Sequence, residues 1–426
     1  MWRSRFFIYQ NIQCKLKGES MMKKFFGILL ALAMVLSLAA CGGNGGSGTP
    51  ANDTPPASTD NNQPSGDAPS GGSASGTFKL GGVGPLTGDA AIYGNAAMNG
   101  AQIAVDEINA LGGIQIEFKA EDDVADGETS VNAYNTLMDW GMQVLVGPVT
   151  TGAAIAVSAE VYNDRVFALT PSASSTDVIS GKDNMFQVCF TDPNQGVGSA
   201  DYISQNMPGA KVGIIYRNDD AYSQGIRDTF VAEAGKVGLE IVSEGTFTKD
   251  TQSDFSVQLT AAQSSGADLI FLPTYYQPNA VILNQAKGMG YAPTFFGVDG
   301  MDGILAMPGF DTSLAEGVML LTPFSADADD QRTQSFVAKY NELHGETPNQ
   351  FAADGYDAVY IIYEALQAAG CSGDMSAEEI CEAIVAVMPT ITVDGLTGQG
   401  MTWAESGEVS KAPMAVVIKD GVYVTP

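Results

Sequence analysis

Small hydroxyl side chains stand directly after two apolar runs of the chain. The stretch ALTPSASSTD (168–177) follows one run, and Thr150 and Thr151 follow the apolar residues of MQVLVGP (142–148). Each stretch brings hydroxyls and free backbone N–H groups to the expected start of a helix, a combination that favours an anion. No Lys or Arg lies nearby, so we predict a carboxylate site built from neutral donors. Plain N-capping is the alternative, although it needs only one hydroxyl per helix.

Aromatic and acidic side chains follow the apolar runs of the second half. Tyr222 comes after IIYRNDDA, Tyr275 and Tyr276 come after LIFLPT, and Asp299 follows TFFGV. Simple packing and turn formation are the alternative explanations of these residues. Because a buried charge is costly unless it is paired, neutral donors on one side and a carboxylate on the other would suit a zwitterion. These residues predict a cleft that holds both charged ends of an amino acid.

The same residue types argue against an enzyme. The single histidine, His344, excludes metal sites built on paired histidines and leaves a Ser-His-Asp triad only if His344 serves it. We interpret His344 as a helix-end residue in a favourable dipole position. Gly82-Val-Gly84 lacks the later glycine of a dinucleotide fingerprint, and no Gly-Lys-Ser/Thr follows it. We predict a protein that is not an enzyme, has no catalytic residues and uses no cofactor or metal.

Composition describes an acidic globular protein. The chain has 426 residues, 45% of them hydrophobic, and a formal net charge of −29. Nucleic-acid binding and adhesion to anionic lipid through a polybasic patch both need positive charge, so both are disfavoured. The acidity predicts a well-solvated surface.

The elements that must position these residues alternate regularly. Short apolar runs, at 78–84, 114–121, 142–148, 166–171, 211–217, 239–247, 267–273 and 293–298, precede longer amphipathic segments. This rhythm predicts βαβ units with parallel sheets, in two runs divided near Asp192, and hence an α/β fold with two lobes. A third section (320–369) adds a strand and two helices. The C-terminal segment is expected to form strands joined by turns at Ser406-Gly407 and Asp420-Gly421. Ligands of such sheets collect beyond the carboxyl ends of the strands.

The N-terminal segment has the pattern of an export signal. Lys23 and Lys24 precede an apolar run that is short for a membrane span, and the run ends in Leu38-Ala-Ala-Cys41. This ending resembles the lipobox of bacterial lipoproteins and predicts lipidation of Cys41. An ordinary secretory signal is the alternative. We expect residues 1–40 to be a signal region with an over-extended start before Met21, and residues 41–76 to be a lipidated Cys followed by a disordered tether.

The region from residue 78 to 426 resembles the Leu/Ile/Val-type periplasmic binding proteins, which serve ABC importers. The resemblance is carried by the motifs GPLTGDAAIYGNAAMNGAQIAVDEINALGGI (84–114), VGPVTTGAA, TPSASS, YSQG, DGYDAVY and DGLTGQGMTWAESGEV. It implies the type I periplasmic-binding fold, with two Rossmann-like lobes joined by a three-strand hinge. Lobe I would comprise residues 77–193 and 323–396, and lobe II residues 194–322 and 397–426.

The resemblance also implies roles for individual residues. Thr151, Ser172 and Ser174 would hold the α-carboxylate and part of the ammonium, with Ser172 acting largely through its backbone, and Asp299 would pair with the α-ammonium. The match to the family pattern leaves open whether Thr150 or Thr151, and whether Tyr275 or Tyr276, takes the corresponding role, and Pro148 departs from that pattern. The full set of expected ligand-binding residues is Tyr93, Thr150, Thr151, Ser172, Ala173, Ser174, Tyr222, Tyr276, Asp299 and Phe351.

These features together predict an extracytoplasmic lipoprotein on the outer face of the cell membrane. It would capture an amino acid, branched-chain or similar, and deliver it to an ABC permease and its ATPase, with no nucleic-acid partner and as a monomer. Two alternatives stay open: a receptor of the same fold for amides, urea or aromatic carboxylates, and a ligand sensor. Cys371 and Cys381 may either bridge or stay free.

Overall fold

The first sheet contains five parallel strands. The computed structural model describes residues 74–426, so the predicted signal, Cys41 and most of the predicted tether lie outside the described residues. The strands of this sheet lie in the order β2-β1-β3-β4-β5, and every pairing is parallel. Their bounds are β1 Thr77–Gly84, β2 Gln115–Asp122, β3 Val144–Val146, β4 Phe167–Thr170 and β5 Met185–Gln187.

Helices connect these strands and begin and end at recognisable caps. The bounds are α1 Ala91–Ala110, α2 Gly127–Trp140, α3 Thr151–Asn163 and the short α4 Thr176–Ile179. Asp126 caps α2 by accepting a hydrogen bond from the Thr129 N–H at 3.0 Å. Gly141 ends the same helix in the left-handed conformation, with φ 88°, which a glycine adopts without a steric penalty.

The second sheet contains seven strands in the order β12-β11-β10-β9-β8-β6-β7. Strands β6 to β10 run parallel, whereas β11 and β12 form an antiparallel hairpin at the edge beside β10. The strand bounds are β6 Lys211–Arg217, β7 Glu240–Phe247, β8 Leu269–Leu272, β9 Thr294–Gly297, β10 Met319–Thr322, β11 Met414–Lys419 and β12 Val422–Val424. The helices of this part are α5 Asp192–Asn206, α6 Ala221–Val237, α7 Ser256–Ser264 and α8 Tyr276–Gly288.

Three further helices follow β10, namely α9 Gln331–His344, α10 Gln350–Ala369 and α11 Ala377–Val387. Helix α10 packs closely on α1, which belongs to the first sheet. A Cβ atom at Gly100 would lie 1.8 Å from the carbonyl oxygen of Ala352, and one at Gly355 would lie 2.0 Å from that of Ala97. The two backbones therefore approach so closely that only glycine fits at these two positions.

The predicted α/β fold with parallel-sheet cores is confirmed, and most strands and helices lie where the periodicity placed them. Strand β5 and helix α5 were not predicted from the sequence. The turn at Asp420-Gly421 joins β11 and β12 as predicted, but no strands flank Ser406-Gly407, where only the isolated bridges Val393–Met401 and Trp403–Val409 form. That segment lies on the first sheet, because the Trp403 indole donates to the carbonyl of Gln187 at 2.9 Å.

Two further points concern cysteines and membrane spans. Cys189, Cys371 and Cys381 are all buried and free, so the possible bridge between Cys371 and Cys381 does not form in this structure. Among residues 74–426, no helix is both long and apolar enough to span a bilayer.

Replacing Gly100 with alanine should destabilise the protein, because the new methyl group would collide with backbone of α10. We expect a loss of at least about 3 kcal/mol in the free energy of unfolding, measured by urea denaturation. Gly235→Ala is the matched control, since nothing lies within 4 Å of a Cβ atom there. This exposed helical change should instead stabilise by up to about 1 kcal/mol. Equal midpoints for Gly100→Ala and the wild type would contradict the packing described.

Candidate functional site

A cleft lies where the carboxyl ends of strands from both sheets face each other. The residues that line it come from loops and helix starts after β1, β3, β4, β6, β8 and β9, and from the start of α10. They are Tyr93, Val149, Thr150, Thr151, Ser172, Tyr222, Tyr275, Asp299, Gly300 and Phe351. Seven of the ten predicted site residues thus meet in one place, as expected for strand ends of parallel sheets.

Hydrogen bonds hold the two hydroxyl-rich loops of the first sheet side by side. The Thr170 hydroxyl donates to the carbonyl of Pro148 at 2.6 Å and accepts from the N–H of Ala173 at 2.9 Å. The Ser172 hydroxyl donates to the carbonyl of Val149 at 2.6 Å. Since this hydroxyl already donates to the protein, the predicted use of Ser172 through its backbone fits the geometry.

Thr150 offers a hydroxyl that the protein itself does not use. Its backbone caps α3, but its side chain makes no capping bond. The residue is 5% exposed, and its Oγ1 atom has no hydrogen-bond partner among the described residues. Because a buried hydroxyl without a partner is costly, this atom is suited to bond a bound molecule.

Ala173 and Ser174 do not line the cleft, although both were predicted site residues. Ala173 is fully buried. The Ser174 hydroxyl donates to Oδ1 of Asp192, at 2.7 Å, and Asp192 begins α5. Ser174 therefore connects the loop to the crossing between the sheets, and this long-range partner could not be read from the sequence.

Asp299 supplies the acidic group of the opposite wall. It lies on a 3-10 turn, Asp299–Met301, directly after β9. The Tyr222 hydroxyl donates to its Oδ1 atom at 2.5 Å and accepts from the N–H of Gly300 at 2.9 Å. Asp299 is 4% exposed, and none of the residues lining the cleft is basic. Burial raises the pKa of the Asp299 carboxyl to about 7.

Tyr275, not Tyr276, lines the cleft. The Tyr276 hydroxyl instead donates to the carbonyl of Asp89, on the side of the first sheet, at 2.7 Å. At the start of α8 two successive tyrosines thus point in different directions. A sequence comparison with an uncertainty of one residue cannot tell which of them lines the cleft.

Tyr93 connects the two walls. Its hydroxyl donates to the carbonyl of Gly300 at 2.5 Å and accepts from the N–H of Tyr276 at 3.0 Å. Its ring centroid lies 4.4 Å from that of Phe351 and 5.4 Å from that of Tyr275. Since Tyr93 follows β1 and Gly300 follows β9, these contacts join the two sheets, and the structure describes a closed cleft.

Sequence reasoning did not name Val149 or Gly300 as lining residues. A Cβ atom at position 300 would lie 2.5 Å from the Tyr222 hydroxyl, so glycine is required beside Asp299. The sequence VDGMDG carried this signal, because a glycine directly after the acidic residue allows close approach.

The arrangement can hold a small molecule that carries one negative and one positive group. Free hydroxyl and backbone donors lie on one wall, a single carboxyl on the other, and aromatic rings between them. Among residues 74–426, no three His, Cys, Asp or Glu side chains are grouped so that they could hold a metal ion.

Replacing Asp299 with asparagine should stabilise the ligand-free protein at pH 8. The pKa of Asp299 is higher in the folded protein than in the unfolded chain, so folding retains a proton between pH 4 and 7, and stability falls as the pH rises through that window. Asparagine removes this loss, which corresponds to up to about 4 kcal/mol, and keeps the acceptor for Tyr222. We expect a higher Tm at pH 8 and a much smaller gain at pH 4.5; equal Tm values at pH 8 would contradict the raised pKa.

Comparisons with known proteins agree with this geometry. A family model described as "Periplasmic binding protein" matches residues 77–421. A Leu/Ile/Val-binding protein homolog from Brucella melitensis is 29% identical over 78% of this chain and 88% of its own length.

Two solved structures are similar over 82% of this chain. The substrate-binding protein LivJ of a branched-chain amino acid transporter from Streptococcus pneumoniae, in complex with isoleucine, has a TM-score of 0.73 and 29% identity over its entire length. The leucine-binding protein LivK from Thermotoga maritima has a TM-score of 0.74 and 26% identity over 97% of its length. The predicted resemblance is confirmed, and members of this family are non-enzymatic binding proteins with an extracytoplasmic location. The chain belongs to the periplasmic binding protein family, with the type I fold.

Proposed function

We propose that this protein captures an amino acid, branched-chain or similar, and delivers it to an ABC importer. The observation that carries the proposal is the buried carboxyl of Asp299, which lines a closed cleft without a basic neighbour in the lining. An α-ammonium group would supply the missing positive charge. The amino-acid ligands of the similar Brucella and Streptococcus proteins support the same class.

The opposite wall is suited to the α-carboxylate. The unpartnered Thr150 hydroxyl, the Thr151 side chain and the backbone around Ser172 offer neutral donors at the start of α3. A helix start favours an anion, and hydrogen bonds to a charged group are stronger than those between neutral groups. Tyr93, Tyr275 and Phe351 would exclude water and contact the apolar side chain of the ligand.

The predicted lobes are part of this proposal. We keep the predicted boundaries near Asp192, where α5 begins, and near Pro323, which follows the last residue of β10. For the third crossing we propose residues 411–414 instead of the predicted boundary at 397. Trp403 bonds to Gln187 of the first sheet, and β11, which starts at Met414, pairs with β10 of the second.

Closure of the lobes would link capture to delivery. A ligand that bridges the walls binds the closed arrangement more tightly and shifts the population towards it. We propose that the closed form then docks on the permease, whose ATPase drives transport.

The rival ligand classes differ in charge. Urea, simple amides and aromatic carboxylates lack an ammonium group and would leave the Asp299 carboxylate buried without a counter-charge, which is unfavourable. A sensor function would use the same cleft, and the dependence of cellular uptake on this gene distinguishes it from transport.

Binding of L-leucine, L-isoleucine or L-valine should raise the Tm of the body comprising residues 74–426, in a thermal-shift screen that also includes urea and benzoate.

Replacing Asp299 with alanine should abolish binding of these amino acids, as measured by calorimetry. Because an ammonium ligand pairs with the charged carboxylate, we expect the affinity to fall about tenfold per pH unit below pH 7. Binding of benzoate but of no amino acid, or full affinity in Asp299→Ala, would refute the proposed ligand class.

We further propose that the protein is anchored by lipid at Cys41, in line with the lipobox Leu38-Ala-Ala-Cys41. Several acyl chains on one cysteine give stable anchoring, whereas a single chain binds membranes only marginally. In a bacterial host, the wild type should incorporate labelled palmitate and sediment with membranes, and Cys41→Ser should do neither. Cys189→Ser is the control, because that thiol is buried in the fold. Equal labelling of wild type and Cys41→Ser would exclude this anchor.

A further inference from the structure

Two buried glutamines bond to the two peptide groups that flank Asp299. The Asp299 N–H donates to Oε1 of Gln195 at 3.2 Å, and the Asp299 carbonyl accepts from Nε2 of Gln350 at 2.7 Å. The planes of these two peptides set the φ and ψ angles of Asp299, and these angles set the direction of its Cα–Cβ bond. The glutamines therefore act on the direction in which the carboxyl points.

Gln195 connects this turn to the first sheet. It lies in the first turn of α5, is 0% exposed, and its Nε2 atom lies 3.5 Å from the Ser174 hydroxyl as a donor. Ser174 in turn donates to Asp192, the fifth residue after the end of β5. The Gln195 carboxamide thus bonds both to Ser174, in the hydroxyl loop of the first sheet, and to the turn that carries Asp299.

Gln350 makes a similar connection from the other side. It is 1% exposed and is the first residue of α10, the helix that packs on α1. Its Oε1 atom lies 3.2 Å from the hydroxyl of Thr322, the last residue of β10, and its N–H donates to Oδ2 of Asp302 at 2.8 Å. Gln350 therefore joins the helix layer of the first sheet to the Asp299–Met301 turn beyond the second.

We propose that Gln195 and Gln350 are positioning residues that aim the Asp299 carboxylate at the ligand ammonium and couple its placement to closure of the cleft. The inference rests on the proposed function. Both amides converge on a single residue, Gln195 from the first turn of α5 and Gln350 from the first turn of α10. Opening would separate Gln350 from Asp299, so the ammonium site is complete only in the closed arrangement.

The test compares Gln195→Met, Gln350→Met and Gln350→Glu with the wild type. Methionine keeps the length and removes both polar atoms, while glutamate keeps the acceptor for Thr322, loses the amide donor to Asp299 and adds an ionisable carboxyl group. Gln143→Met is the matched control, since Gln143 accepts from the N–H of Lys79 and donates to the carbonyls of Gly373 and Met375, all away from the cleft. Calorimetry measures the affinity for L-leucine and for 4-methylpentanoate, which has the same carboxylate and side chain without the ammonium.

We expect each Gln195 and Gln350 variant to bind L-leucine about tenfold more weakly, the effect of one lost hydrogen bond to a buried group. The preference for L-leucine over 4-methylpentanoate should fall by the same factor, whereas a purely structural role would weaken both ligands equally. Gln143→Met should lose stability but keep wild-type affinity and preference.

Wild-type leucine affinity in the Gln195 and Gln350 variants, or equal losses for both ligands, would overturn the inference. If no variant binds 4-methylpentanoate, the test rests on L-leucine alone. The affinities of the Gln195 and Gln350 variants for L-leucine are then compared with that of Gln143→Met. The glutamate variant keeps the test available if Gln350→Met does not fold. Asp299→Asn separates the two proposals: wild-type leucine affinity there refutes the proposed ammonium site itself, whereas loss there with intact glutamine variants refutes only the positioning role.

Discussion

The burial of the Asp299 carboxyl beside a wall of neutral groups is the constraint on which the site depends. An isolated buried charge is unfavourable, and at Asp354 the protein avoids it by pairing. The Nζ atom of Lys411 lies 3.1 Å from Oδ1 of Asp354, and these side chains are 1% and 2% exposed. The Asp299 carboxyl accepts from the Tyr222 hydroxyl and is also supported by Gln195 and the backbone of Gly300, but no basic residue lines the cleft beside it. On the proposed function, a ligand ammonium supplies the missing positive charge.

Asp354, the acid that pairs with Lys411, belongs to a buried polar network and does not line the cleft. Lys411 also donates to the hydroxyl of Thr397 at 2.6 Å, and that hydroxyl donates to Asp357 at 2.6 Å. This network joins α10 to the segment that leads into β11, next to the proposed third crossing. A buried polar network whose members are satisfied rigidifies its surroundings. It can therefore hold the crossing in place while the cleft residues stay available for a ligand.

Elements that depend on local sequence pattern were predicted better than contacts between residues far apart in the chain. The strands and the hydroxyl loops at Thr150 and Ser172 follow from periodicity and from the rule that ligands meet parallel strands at their carboxyl ends. The β5 strand was missed, although β3 of equal length was predicted, because the break at Asp192 that follows it interrupts the alternation of strands and helices. The bond from the Ser174 hydroxyl to Asp192 was not predicted, and Gln195 and Gln350 were not identified at all. Their roles depend on partners 104 and 51 residues away in the chain, which no local pattern encodes.

The closed arrangement is held by two kinds of contact with opposite consequences. Hydrogen bonds from Tyr93 to Gly300 and from Tyr276 to Asp89 join the walls without any ligand group, so they favour closure whether or not the cleft is filled. The buried Asp299 carboxyl and the unpartnered Thr150 hydroxyl oppose closure until something pairs with them. A ligand shifts the balance only by its differential interaction with the two arrangements. On the proposed function, selectivity for a molecule with both an ammonium and an acceptor group arises from the buried Asp299 carboxyl and the unpartnered Thr150 hydroxyl.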